Sequence, residues 1–125
     1  MTHAVIRFSY PRRGLTGLFT TFRLGAKLSQ TLAPGDQVDL VDARTEKLLG
    51  RAAVLAVYAG ELQAMALSHA HLAHNWKEHP QAERSALLVA SMKRRYPPGR
   101  VLDHSLVTVI YLQEQHEPEQ TSFPD

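Results

Sequence analysis

The side chains in this sequence best suited to chemistry are cationic and fall into two groups. Arg12, Arg13 and Arg23 lie near the start and Arg51 in the middle; Lys93, Arg94 and Arg95 run together near the end, with Arg100 shortly after. Arginine presents a planar fork of donors that matches phosphate oxygens, so such clusters point to polyanions. Arg12 and Arg13 sit in a Pro-Arg-Arg-Gly turn, from which both reach outwards. Cations at the end of a helix also offset its dipole, which is the plainer account of Lys93, Arg94 and Arg95. Tyr96 and Trp76 are the aromatics near these charges; a ring there can stack on an unpaired base or pack into the core.

Four histidines, His69, His71, His74 and His79, fall within eleven residues. On a helix, His71, His74 and Glu78 would share one stripe, and two imidazoles with a carboxylate are a workable metal set. The spacing is not His-Glu-x-x-His, and Pro80 follows closely, so the histidines read as a solvated polar face and no metal site is predicted. Without a Gly-x-Ser-x-Gly elbow, no serine triad can be argued. The sequence has neither a phosphate-cradling glycine loop nor a dinucleotide-binding glycine pattern, and no cofactor is expected.

The elements that must position these groups belong to one domain. The chain has 125 residues, 44% hydrophobic and 21% charged, which suffices for a single core. It has no cysteine, which excludes disulfides, thiolate metal sites and a thiol nucleophile. No stretch approaches the ~20 apolar residues of a membrane span. Arg7 interrupts the apolar N-terminus and no small-residue cleavage site follows, so the expectation is no signal peptide, no membrane partner and a cytoplasmic location. The net charge of +2 is uneven: residues 1–112 hold all 14 basic residues against 8 acidic ones, a net +6. A body with that excess attracts phosphates.

Ala4 to Tyr10 reads as a strand closed by the turn at Pro11 to Gly14. Leu15, Leu18, Phe19 and Phe22 have helical spacing, which predicts a helix over 15–24 with Gly25 as its C-cap. A short stretch, Ala26 to Leu32, leads to the turn Ala33-Pro34-Gly35-Asp36. Gln37 to Asp42 alternates as a half-buried strand, Ala43 to Lys47 is a hairpin connection, and Leu48 to Tyr58 is a central strand. Leu62 to Trp76 carries helix formers, with the helix expected in its second half. Pro80 breaks the chain, and Ala82 to Tyr96 is an amphipathic helix stopped by Pro97-Pro98-Gly99. Ser105 to Leu112 is a last strand, and Gln113 to Asp125 reads as an acidic, disordered tail. Hairpin-length links between most strands argue for an α+β fold with an antiparallel or mixed, barrel-like sheet.

The stretch Gly25-Ala26-Lys27-Leu28-Ser29-Gln30-Thr31-Leu32, followed by Gly35-Asp36-Gln37-Val38, resembles the ASCH domain family of PUA-like β-barrels. That family shows a helix, then G-x-K-x-x-T/E-x-R, then G-D-x-V before a strand. Next come a glycine-bearing strand, here Gly50 to Val54, a helical insertion ending near Tyr-Pro-Gly, here Tyr96 to Gly99, and a final strand. The likeness runs in order over roughly residues 15–112. It implies a PUA-like barrel with an N-terminal helix and a helical insertion before the last strand. It also implies that Lys27 lines the barrel mouth, as a base if partly desolvated or as a phosphate ligand if charged.

Two positions depart from the family. Leu32 stands where an Arg is common. Gln30 stands where the family's acetylcytidine amidohydrolases have a nucleophilic Thr, a role glutamine cannot fill. The leading expectation is therefore a module that binds RNA or a nucleotide through Lys27, Gln30 and Arg51, helped by Arg12, Arg13, Arg23, Arg95 and Tyr96. An alternative is a small amidohydrolase or ribonuclease with Lys27 as base, Ser29 or Thr31 as nucleophile or water-orienter, and Glu78 or Glu83 as acid. A third is a non-catalytic protein-interaction domain whose acidic tail folds over the basic cleft.

Overall fold

The computed structural model describes residues 3–8, 15, 17–70, 73 and 79–115. Among them, five strands form one curled mixed sheet, a half-barrel, accompanied by three helices. The strands are β1 (His3–Phe8), β2 (Leu18–Leu24), β3 (Gln37–Asp42), β4 (Leu48–Glu61) and β5 (Leu106–Gln115). The helices are α1 (Lys27–Thr31), α2 (Leu62–His69) and α3 (Gln81–Arg94). The spatial order is β1-β3-β4-β5-β2. The β1–β3 pair is parallel and the other three pairs are antiparallel. β4 is central, as its apolar run predicts, and β1 and β2 form the two edges.

Along the middle of β2 and β5 the sheet is buried on both faces, and strand alternation sorts the residues. Phe8, Phe19, Val38, Leu40, Val54, Ile110 and Leu112 form one core inside the curl. Phe22, Val107 and Val109 point the other way, into a second core with Leu62, Ala66, Leu88, Val89 and Met92 of α2 and α3. Two-sided burial corrects the expected helix over 15–24. Phe19 and Phe22 are three apart because they serve opposite cores, and Thr20 and Thr21 between them are buried as well. β-Branched and aromatic residues buried on both sides suit a strand, and β2 pairs with β5 from Leu18↔Gln113 to Leu24↔Val107. No helix therefore precedes Lys27 among the described residues; the stretch 27–31 is itself the short helix α1.

Two further boundaries move. In the stretch 62–76 the described helix is Leu62–His69, so helix already begins at its first residue; of the second half, where it is expected, most residues lie outside the described ones. Its start is fixed from outside: the Leu62 and Gln63 amides donate to the carbonyls of Ser105 and Asp103, at 2.8 and 2.9 Å, satisfying donors that a helix leaves unpaired. Residues 74–78 lie outside the described part of the chain. β5 runs on to Gln115, three residues past its expected end, because Gln113 pairs on both sides, with Leu18 and with Ala53. The Glu114 carboxylate also accepts the Gly17 amide at 2.9 Å. Residues 116–125, most of the expected tail, lie outside the described residues.

The two glycine motifs have defined tasks. Gly35 has φ +96, and the buried Asp36 carboxylate accepts the Ala33 amide at 2.9 Å, which sets the entry to β3. Gly25 has φ +88 and is held at both ends by β5: its amide donates to Leu106 O, and its carbonyl accepts from Thr108 Oγ1, each at 2.8 Å. A methyl group at Gly25 would meet nothing within 4 Å, so Gly25→Ala isolates the backbone cost. That change is expected to destabilise the fold by about 1–3 kcal/mol; an unchanged urea midpoint would show that the turn relaxes freely.

Candidate site at the barrel mouth

Arg23 is the cation most constrained by the fold. It alternates with Thr21 and Phe19 onto the inner face of β2. Its guanidinium crosses from β2 to the other edge of the sheet. Nη1 donates to Arg7 O of β1 at 2.6 Å, and Nε donates to Thr21 Oγ1 at 3.2 Å. The planar group lies 4.6 Å from the ring centroid of Phe8, an attractive cation–π arrangement. Burial pushes the Arg23 pKa down to about 10; the nearby Arg95 cation acts in the same sense, and Tyr96 opposes them. Arg23 is thus held across the curl by groups from β1 and β2.

The other basic residues divide by whether a carboxylate holds them. Arg51 pairs with Asp39 at 3.2 Å across β3 and β4. Its neighbour Ala52 points into the inner core, so Arg51 projects from the outer face of the sheet and does not join Lys27. Arg7 pairs with Glu46 at 3.0 Å, and Lys93 with Asp103 at 2.6 Å. Arg23 has no carboxylate partner among the described residues. Arg95 caps α3 and is exposed, and Tyr96 packs half-buried against the outer core. Of the two roles weighed for Tyr96, this is core packing. Arg12, Arg13 and Trp76 lie outside the described residues.

Lys27 opens α1, four residues after Arg23 and just beyond the Gly25 turn. It is exposed, so the partial desolvation that would make it a base is not seen. Among the described residues its ammonium group makes no hydrogen bond or ion pair. The candidate nucleophiles are engaged locally. Ser29 Oγ donates to Ala26 O at 2.6 Å, and Thr31 Oγ1 lies 3.4 Å from the Lys27 and Leu28 carbonyls. Such back-bonding is ordinary for hydroxyls in helices. Gln30 is exposed, and Leu32, at the position of the family's Arg, is buried in the inner core. Glu83 is exposed in the first turn of α3, and Glu78 lies outside the described residues.

A second polar cluster escapes the sequence reading. His69, expected on a solvated face, sits against the sheet. Its Nδ1 is 2.7 Å from Tyr111 Oη, its ring stacks on Tyr58 at 4.7 Å, and Tyr111 meets both rings edge-on. Thr20 Oγ1 donates to His69 O at 3.4 Å. Alternation in β4 and β5 puts both tyrosines on the α2 side, but nothing in the sequence identifies His69 as their partner. No group of three metal-ligating residues occurs among the described residues, and His71, His74 and Glu78 lie outside them.

No known family model matches the chain, and no curated protein does. A solved structure, that of hypothetical protein PH0355, is similar with a TM-score of 0.62 at 13% identity, covering 91% of this chain and all of that one. The likeness establishes the fold alone, and that title names no function. Among the described residues, no helix is long and apolar enough to cross a membrane.

Burial, and Tyr58 beside it, push the Tyr111 phenol up from its ordinary pKa of 10.0. A raised phenol pKa contributes stability that is present below about pH 10 and lost as pH rises through the folded value. Tyr111→Phe is expected to cost about 1 kcal/mol at pH 7 through the lost hydrogen bond. It should also remove a component that titrates above the ordinary tyrosine value from the tyrosinate absorbance curve. A variant with the wild-type alkaline titration would refute the assignment.

Proposed function

We propose that this chain is an ASCH-type, PUA-like module that binds RNA or a nucleotide through a basic cleft at the barrel mouth. The observation that carries this reading is the Arg23 guanidinium, held by Thr21 Oγ1, Arg7 O and the Phe8 ring with no carboxylate on it among the described residues. Ion pairs elsewhere take Arg7, Arg51 and Lys93 into the protein's own surface. Arg23 is drawn inwards without such a partner, and partly desolvated charges call for a counter-charge. Lys27, exposed beyond the Gly25 turn, extends the positive surface outwards, and Gln30 on the same short helix offers both a donor and an acceptor to a base edge. Tyr96 supplies an aromatic surface at the cleft.

Binding is favoured over hydrolysis by the state of the hydroxyls. Ser29 and Thr31 are bonded to carbonyls of their own turn, and the exposed Lys27 has no contact that would orient it as their base. Nucleophilic catalysis needs base and nucleophile within hydrogen-bond reach.

The test is fluorescence anisotropy of a short single-stranded RNA across a salt series. Affinity should fall as salt rises, and Lys27→Ala and Arg95→Gln should each weaken binding and reduce the magnitude of the log–log salt slope by about 0.7, the value for one phosphate contact on a single strand. Affinity that does not change with salt would rule the cleft out. RNA recovered intact from the same samples is expected; cutting that depends on Lys27 would restore the hydrolase.

A further inference from the structure

The strand β4 outruns its neighbour β3. Their pairing ends at Gln37↔Ala53, and Val54 closes on the turn before β3, donating to Asp36 O and accepting from Gly35 N, each at 2.8 Å. From Ala56 to Glu61, β4 pairs with β5 alone. The direction of its free groups follows from two bonds. Leu106 O of β5 accepts from Gly25 on the β2 side, and Ser105 O accepts from Leu62 on the β4 side. Backbone groups alternate along an antiparallel strand, so Val107 and Val109 bond towards β4, and their partners Gly60 and Tyr58 bond back. Val57 and Ala59 therefore aim both N–H and C=O away from the sheet, and among the described residues neither has a hydrogen bond on that side. The side chains there are open to solvent. Ala59 is exposed, as are Tyr58 at 46% and Leu55, at the bulge after Val54, at 48%.

The other edges are guarded. The Arg23 guanidinium crosses onto β1 at Arg7 O, and Ala73 bridges to Thr20 on β2. Ala52 to Gly60 carries neither charge nor proline, the devices that keep edge strands apart.

We infer that this edge pairs with the same edge of a second copy, antiparallel about Tyr58, so that two half-barrel sheets become one. The edge matches itself. A two-fold axis at Tyr58 sets Val57 of each copy opposite Ala59 of the other, and each such pair exchanges two hydrogen bonds, with no free group left over. Tyr58 meets its own mate where side chains come closest, as an aromatic pair. Ala56 falls opposite Gly60, and these small residues leave room for the rings. Charge allows the pairing too: Glu61 falls opposite Leu55, so the two carboxylates lie at opposite ends of the ribbon, about 20 Å apart and beyond the screening length of about 8 Å.

The experiment is sedimentation velocity from about 1 to about 300 μM, the range suited to a small interface. The mass should double from 14.0 kDa as concentration rises, and amide exchange at Val57 and Ala59 should slow in step. Ala59→Lys, at an exposed position, should raise the dissociation constant about tenfold or more by placing two cations in the ribbon. Ala59→Pro removes only an amide that the monomer leaves unpaired, which an edge strand tolerates, and should have the same effect. Leu67→Lys, on the exposed face of α2, should leave the dimer intact. A monomer throughout the range would overturn the proposal, as would a dimer that Leu67→Lys breaks and both Ala59 variants keep. A monomer that instead binds an uncharged extended peptide, and loses it with Ala59→Lys, would overturn the second copy in favour of a foreign strand.

Discussion

In the run Val107, Thr108, Val109 and Ile110, no residue of β5 is more than marginally accessible, so the strand that holds the structure together has no solvent face. It pairs with β4 on one side and β2 on the other, and it contributes to the core inside the curl and to the core under the helices. Everything beside it inherits that constraint. A polar group on either neighbouring face must find a partner, since an unpaired buried polar group costs on the order of 1–3 kcal/mol. Thr108 meets the requirement through Gly25 O, which in turn fixes where β2 ends and α1 begins. The glycine-led motif is thus tied to the sheet by β5, and the exposed Lys27 takes its position from a strand 80 residues later in the chain.

Arg23 is the case where the same requirement is met only in part. Curling the sheet brings edge β1 towards edge β2, and the guanidinium spans them through Arg7 O in place of a backbone ladder. An aliphatic residue there would bury without penalty but would leave the Arg7 carbonyl without this donor. The arginine retains donors that nothing among the described residues accepts. The same group braces the half-barrel from one edge to the other.

Much of the fold is legible in the residues. Gln37–Asp42 alternates cleanly and is a strand to the residue; the β4 run and the α3 face are equally clear, because each has a single periodicity with one dominant environment. Residues 15–24 mislead for a physical reason: burial on both faces removes the two-residue alternation and leaves Phe19 and Phe22 at a spacing that imitates a helix. Local order also cannot say that β1 pairs with β3 in parallel, or that the helix in 62–76 starts early, since its first donors are satisfied by Asp103 and Ser105. Of the candidate site, Arg23, Arg95 and Tyr96 are identifiable by type. The bonds that hold Arg23 across the curl are a tertiary fact, as is the loss of Arg51 to Asp39.

The way the cations are divided bears on what kind of surface this is. A general polyanion-binding face is built from solvated lysines and arginines whose charges add with little regard to position. Here Arg7, Arg51 and Lys93 are tied to carboxylates that lower their value to a ligand, and the net +6 of residues 1–112 overstates the charge available. Arg23, by contrast, is fixed in orientation by two hydrogen bonds and an aromatic ring. A preorganised donor loses little conformational entropy when an anion arrives, so a few such contacts discriminate where many mobile ones only attract.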